Sequence, residues 1–358
     1  MGRSAHPPLP MSPRAHTHVP APAPAVHMTL IHGVSAHNGP KVSYEQRRGR
    51  RKREGEGCLG FPKLGYGSMG GMAEQKKRRP QYVFEVVGVE PVTPRMVRVL
   101  FSGSGFDAFA REAAERGNTD TYVKMMFAKP ELGLIPPYDL DALRAHLAPE
   151  DMPSQRTYTI RKIDHVARTI AIDFVKHGDT GIAGPWAERV STGAKVILSS
   201  PGGNYRPNPE ADEHLFFGDE SAIPAIAASI ESLPPSARGR AFIEVGSAED
   251  EIAINAPEGV ELFWLHRNGA ACGSVMVAAV EALAAPEGCV DVFAHGERSA
   301  MKRLRPLVYN EWGIPRSHMS YSAYWAAGRA YDTFQAEKRT LEGKIFEAEP
   351  SEPATWRA

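Results

Sequence analysis

Along residues 81–198 the apolar positions come in short runs broken by turn residues. Tyr82–Val89 and Met96–Phe101 are rich in valine and aromatics and flank Glu90-Pro91-Val92-Thr93-Pro94. Thr121–Phe127, Thr157–Lys162, Thr169–Lys176 and Ala194–Leu198 repeat the pattern. β-Branched and aromatic side chains suit a pleated, half-buried surface, so each run predicts a strand. Short strands separated by turns predict an antiparallel barrel, with one helix at Leu140–Ala148.

After about Pro209 the rhythm changes. Leu215–Phe217 runs through Gly218-Asp219-Glu220 into a helical stretch, Ala222–Leu233. Strands Ala241–Val245 and Glu261–Leu265 follow, then helix Ser274–Ala285, strand Val290–Ala294 and helix Ser299–Asn310. Strands alternating with helices predict βαβ units and a parallel sheet. The expected fold class is therefore β + α/β. A six-stranded antiparallel barrel fills residues 72–208, a parallel-sheet α/β domain fills 209–345, and 346–358 form a tail.

Residues 1–71 show neither period. Pro20–Val26 reads PAPAPAV, and Gln46–Glu56 is a basic run. Such a segment buries too little apolar area to offset its ordering entropy, so a disordered leader is expected. It reads either as a tether or targeting peptide, or as residues upstream of a true start at Met72, where patterned sequence begins.

Charge sharpens this division. The 358 residues hold 42 basic and 42 acidic side chains, but residues 1–71 carry a net +7 and the remainder −7. The remainder is no uniformly basic nucleic-acid surface. Cys58, Cys272 and Cys289 have no CxxC spacing, which argues against a disulfide framework and a Cys-based metal site, and fits a reducing, cytoplasmic setting. No apolar run reaches the roughly 20 residues of a membrane span. GxSxG, HExxH and Walker A patterns are absent, so hydrolase, zinc-protease and P-loop readings have no support.

Five short motifs carry candidate chemistry. In Arg156-Thr157-Tyr158-Thr159, strand alternation puts Arg156 and Tyr158 on one face and the threonines on the other. An Arg fork can take a diphosphate and an aromatic face can stack on a planar ring, although a plain surface strand reads the same way. His177-Gly178-Asp179-Thr180-Gly181-Ile182-Ala183-Gly184 is glycine-dense, and glycines let backbone amides approach a phosphate. Gly218-Asp219-Glu220-Ser221-Ala222 is a strand–turn–helix junction without GxGxxG spacing; Glu244 ends the next strand, facing a ribose or only solvent. His295, after the last parallel strand, reads as a loop histidine without metal partners. Tyr324-Trp325 is either an aromatic lid or a core plug.

Taken in order, these motifs resemble the siderophore-interacting protein family, together with Thr93-Pro94-Arg95-Met96-Val97-Arg98-Val99 and Asp173-Phe174-Val175-Lys176-His177-Gly178. Members are flavin-dependent ferric-siderophore reductases with a ferredoxin–NADP reductase-like fold. The resemblance spans about Gln81 to Gly343. It implies that Arg156, Thr157, Tyr158 and Thr159 hold the flavin of FAD. It implies that Asp173, Val175, His177, Gly178, Ala183, Gly184, Trp186 and Ala187 line the rest of that cofactor. Asp219, Glu220, Ser221 and Ala222 would border the adenine and the nicotinamide, with Trp325 as lid. Arg267, on charge and position alone, would pair with a 2′-phosphate and favour NADPH over NADH.

The implied activity moves electrons from NAD(P)H through FAD to a ferric siderophore, releasing Fe(II), with no obligatory catalytic acid or base and no resident metal. Lys124 matches a basic position of the family, and Arg206 and Arg303 are further candidates for the anionic chelate. The family's Gly-Tyr-Trp-Arg stands here as Ala323-Tyr324-Trp325-Ala326, and Ile182 replaces a frequent proline. A monomer that binds no nucleic acid is expected. The alternatives are a general flavin or ferredoxin-type reductase, a non-catalytic siderophore-binding protein, and a nucleic-acid-associated protein using Arg47–Arg53.

Overall fold

The computed structural model describes residues 28–30, 80–338, 340 and 343–345. The leader over 1–71, the start at Met72 and the tail over 346–358 lie outside the described residues, apart from a short strand, β1 (Met28–Leu30).

Strands β2 (Gln81–Thr93), β3 (Met96–Ser102), β4 (Tyr122–Phe127), β5 (Ser154–Asp164), β6 (Thr169–Val175) and β7 (Lys195–Ser199) close an antiparallel barrel in the order β2-β3-β6-β5-β4-β7. Alternate side chains point inward: Phe84 and Val86, Val97, Val99 and Phe101, Val123, Met125 and Phe127 share one core. Closure leaves no unpaired strand edge.

Helix α1 (Phe106–Arg116) was not expected. Its Phe106, Phe109, Ala110 and Ala113 are buried at helical spacing, and Gly117 caps it at φ 61°, a conformation that favours glycine. Helix α2 (Leu140–His146) begins where expected, because Asp139 accepts from the amides of Asp141 and Ala142. Helix α3 (Ala183–Arg189) follows the glycine-dense loop.

The second unit is a six-stranded sheet. Strands β8 (Glu213–Asp219), β9 (Gly239–Val245), β10 (Val260–His266), β11 (Val290–Glu297) and β12 (Met319–Trp325) are parallel, and β1 pairs antiparallel with β10. Helices α4 (Ile223–Glu231), α5 (Ser274–Glu281), α6 (Arg298–Arg305) and α7 (Tyr331–Glu337) accompany it. The helix expected to Asn310 instead passes into a π-helical turn, Pro306–Glu311, where proline ends the α-helical ladder. The order β1-β10-β9-β8-β11-β12 reverses direction between β8 and β11, and ligands of open α/β sheets bind outside strand ends at such a switch point. A Cβ at Gly218 would stand 2.7 Å from both Ala222 and Ile226, so this glycine lets α4 pack directly on β8.

Polar pairs join the two units. Arg161 of β5 grips Glu231 of α4 at 2.8 and 2.6 Å. Arg95, in the β2–β3 turn, pairs with Asp250; Thr119 meets Ser229 at 2.7 Å; Tyr205 donates to Asp291 at 2.7 Å. Among the described residues Cys272 is free and Cys289 is disulfide-bonded, which runs against the reducing setting suggested by the cysteine usage.

Candidate functional site

Strand β5 presents the Arg156–Thr159 motif. The Arg156 guanidinium donates to both carboxylate oxygens of Asp332 on α7, at 3.2 and 3.1 Å, and lies 4.7 Å from the centre of the Tyr331 ring. Thr157 shares a hydrogen bond of 2.8 Å with the Tyr331 hydroxyl. Tyr158 packs at 4.4 Å on Phe174, and burial pushes its phenol well above the usual range. Lys124 is the cross-strand neighbour of Thr157, is exposed, and has no ion-pair partner among the described residues.

Thr159 is buried where the barrel meets the sheet. Its side chain neighbours the Tyr324 phenol, which burial pushes up and Thr159 pulls the other way. Tyr324 in turn packs at 4.7 Å on His295. His295 is not a loop residue: it lies inside β11, bonds Ser320 at 2.9 Å, and is pushed down to about 3, first by burial and then by the charges of Lys338 and Arg316. It is therefore neutral, and no group of side chains suited to a metal occurs among the described residues.

The glycine-dense loop divides into an exposed and a buried part. His177 through Ile182 are exposed, Gly178 and Gly181 have φ of 78° and 81°, and no atom lies within 4 Å of a Cβ built at Gly178. Ala183, Gly184 and Ala187 are buried in α3. Trp186 packs between Phe127, Phe174 and Phe101, at 5.2, 5.7 and 6.4 Å, so its ring is part of the barrel core. Asp173 departs from the expectation as well. It is buried, and both its oxygens accept from Arg98 on the neighbouring strand, at 2.7 and 2.9 Å. Val175 packs against the sheet's own apolar cluster.

At the carboxyl ends of the parallel strands, Asp219 is fully enclosed. One oxygen accepts from the Ser221 amide at 2.9 Å; the other accepts from the Glu297 amide at 2.7 Å and the Trp325 indole at 2.8 Å. Burial pushes its pKa up to about 6, against the pull of the Ser221 and Trp325 hydrogen bonds. Trp325 is thus tied across the switch point. Glu297 caps α6 through the amides of Ser299 and Ala300 and holds the Ala327 amide at 3.1 Å, fixing the turn after β12. Ala222 is buried at the start of α4, and Ala326, where the family's arginine would stand, is buried beside Phe334 of α7.

Three cations depart from their expected roles. Arg267 donates to both oxygens of Glu220 and to Glu244 at 3.2 Å, so its fork is already filled by carboxylates. Glu244 is not a solvated strand end: it is wholly buried and also accepts the amides of Gly273 and Met276 at 2.6 and 2.9 Å. Arg206 bonds the carbonyl of Gly117 at the end of α1, at 2.8 Å, and Arg303 pairs with Glu281 between α5 and α6, at 2.6 Å. Neither touches the Lys124–Thr157 surface; charge alone did not reveal their partners.

Residues 85–205 match the model of the siderophore-interacting FAD-binding domain, and residues 211–328 match that of the siderophore-interacting protein. An uncharacterized protein of Mycobacterium tuberculosis is 44% identical over 277 residues, covering 74% of this chain and 96% of its own. This chain belongs to the siderophore-interacting protein family. The ferric vibriobactin reductase ViuB of Vibrio cholerae is 29% identical over 282 residues, covering 77% of this chain and all of its own. The crystal structure of a siderophore utilization protein from T. fusca is 36% identical with a TM-score of 0.60, covering 70% of this chain and 94% of its own.

In this siderophore-interacting protein, sequence reasoning missed the residues that α7 brings to β5. Tyr331 and Asp332 contact Thr157 and Arg156 across 174 and 176 positions of chain. No local signal marks such a contact. The Glu297 cap was more legible, because an acidic residue ahead of Ser299-Ala300 at a strand end has the form of an N-cap.

Proposed function

We propose that the chain is an FAD-dependent reductase that takes electrons from NAD(P)H and delivers them to iron held in an anionic ferric siderophore, acting as a cytoplasmic monomer. The observation that carries this reading is Arg156–Thr159 on β5, with buried Thr159 beside Tyr324 near the carboxyl end of β12. A cofactor of the barrel and a dinucleotide of the sheet would meet there.

The donor set suits a flavin dinucleotide. Arg156 is held in a planar, two-point contact by Asp332. The Asp332 side chain is 76% exposed and can yield to water, so a diphosphate oxygen pair could take its place, unlike the enclosed carboxylates on Arg267. The open backbone at Gly178 and Gly181 offers amides to phosphate. Tyr158 and Thr159 would border the flavin ring. When bound, the flavin supplies the chemistry that joins a two-electron hydride donor to a one-electron metal acceptor. The chain's part is to hold both partners in register and to exclude water. Lys124, exposed and unpaired among the described residues, attracts the anionic chelate locally.

The purified protein is expected to carry flavin absorbance or to acquire it from added FAD. Arg156→Ala is expected to retain the fold and lose the flavin. Anaerobic reduction by a nicotinamide, followed by reoxidation with ferric chelates, tests the rest. Rapid turnover of free flavin without chelate reduction would indicate a general flavin reductase. Chelate binding without nicotinamide oxidation would indicate a binding protein. A colourless preparation that takes up no FAD would overturn the proposal.

A further inference from the structure

Arg267 follows β10 directly, and two acidic side chains from the neighbouring strand ends share its guanidinium. Glu220, in the turn after β8, takes both of its terminal nitrogens, and Glu244, the penultimate residue of β9, takes one. The side chains are almost wholly withdrawn from water, with exposures of 13% for Arg267, 8% for Glu220 and 0% for Glu244. Glu244 cannot turn outward, because the amides of Gly273 and Met276 at the start of α5 also hold it. One positive charge is thus enclosed by two negative ones, and the cluster is net negative.

Its place in the fold gives the cluster meaning. In sheets of this kind the end of the strand beside the first βα unit faces the adenosine ribose. A carboxylate there accepts the ribose hydroxyls, and a nearby arginine accommodates a 2′-phosphate. Here the first unit is β8–α4, the neighbouring strand is β9, and Arg267 is the arginine in contact with its carboxylate. A 2′-phosphate carries about two negative charges at neutral pH. To reach Arg267 it must displace Glu220 from a two-point contact, in surroundings where unpaired charge is costly to leave.

We propose that the nicotinamide donor is NADH, and that Glu220 is the specificity-determining residue that excludes NADPH by occupying the Arg267 fork. This rests on the reading of the chain as a nicotinamide-dependent reductase. Glu220→Gln keeps the shape of the side chain and removes its charge, leaving Arg267 balanced by Glu244 alone.

The test compares NADH with NADPH as reductants of the FAD-loaded protein, wild type and E220Q, as ratios of kcat/KM within one preparation. Titration calorimetry with NAD+ and NADP+ supplies a readout independent of turnover. The expected wild-type preference for NADH is tenfold or more. In E220Q that preference should fall by about tenfold, with a matching gain in NADP+ affinity. A merely structural role for Glu220 would lower both dinucleotides together and leave the ratio unmoved. Wild-type use of NADPH as good as NADH, or an unmoved ratio in E220Q, overturns the inference. If neither nucleotide reduces the bound flavin, the donor reading itself fails and this inference falls with it, a result distinct from a reversed ratio.

Discussion

Replacing Asp173 by alanine separates a structural role from a cofactor role at a residue where sequence resemblance and geometry disagree. Asp173 on β6 stands directly opposite Arg98 on β3, is 4% exposed, and accepts from Nε and Nη2 of that arginine at 2.7 and 2.9 Å. The hydrogen bond with Asp173 raises the Arg98 basicity, and the gain outweighs the opposing effect of burial. Breaking a buried pair from one side costs about 3–5 kcal/mol, because the remaining charge stays desolvated. The Arg98 side chain is 25% exposed, so water recovers part of that cost. The expected loss is about 2–4 kcal/mol. Urea unfolding followed by fluorescence should show a lower midpoint with an unchanged slope. The double variant Arg98→Met with Asp173→Leu replaces both partners by apolar groups and should recover most of the loss, to within about 1 kcal/mol of wild type. An Asp173→Ala protein that unfolds at the wild-type midpoint but no longer retains FAD would refute the assignment to the barrel wall.

Two further outcomes follow from the buried groups. Asp219 titrates near 6 when folded, above its ordinary carboxylate value, so its stabilising contribution is complete below about pH 4 and is lost as pH rises through 6; two units correspond to about 3 kcal/mol. Relative to Asp219→Asn, wild-type stability should decline across that window, with a Trp325-dependent fluorescence change of the same midpoint; parallel stability curves would show that the carboxyl is not perturbed. Trp186→Ala opens a cavity among Phe101, Phe127 and Phe174 and should cost about 3–5 kcal/mol in urea unfolding; an unchanged midpoint with lost FAD retention would return the indole to the cofactor.

Much of the fold was legible because its causes are local. The Val- and aromatic-rich runs became β2 through β7, and the apolar strand into Gly218 became the first βα unit. Helix α1 was missed, although Phe106, Phe109, Ala110 and Ala113 have helical spacing and Gly117 closes the element, because the stretch lies between strand-rich runs. Strand β12 was also missed: the expected sheet ended at Val290–Ala294, although β12 alternates buried and half-buried residues.

The candidate site was legible only in part. Residue types name the groups that can bind an anion or stack on a ring, and Arg156, Tyr158 and Thr159 carry that information in four adjacent positions. They do not say whether a group is already engaged. Arg267 is filled by Glu220 and Glu244, Asp173 by Arg98, Arg206 by Gly117 and Arg303 by Glu281.

The sequence by itself determined the two-part architecture, the barrel before the parallel sheet, and the motif order that marks the family. Periodicity and turn chemistry act over a few residues and survive in one dimension. Only the tertiary structure decided which charges remain available, because a salt bridge depends on side chains brought together by strand register and helix packing. The zero net charge of the chain illustrates the limit. It is fixed by composition, whereas the charge at a binding site is fixed by which pairs the fold has already closed.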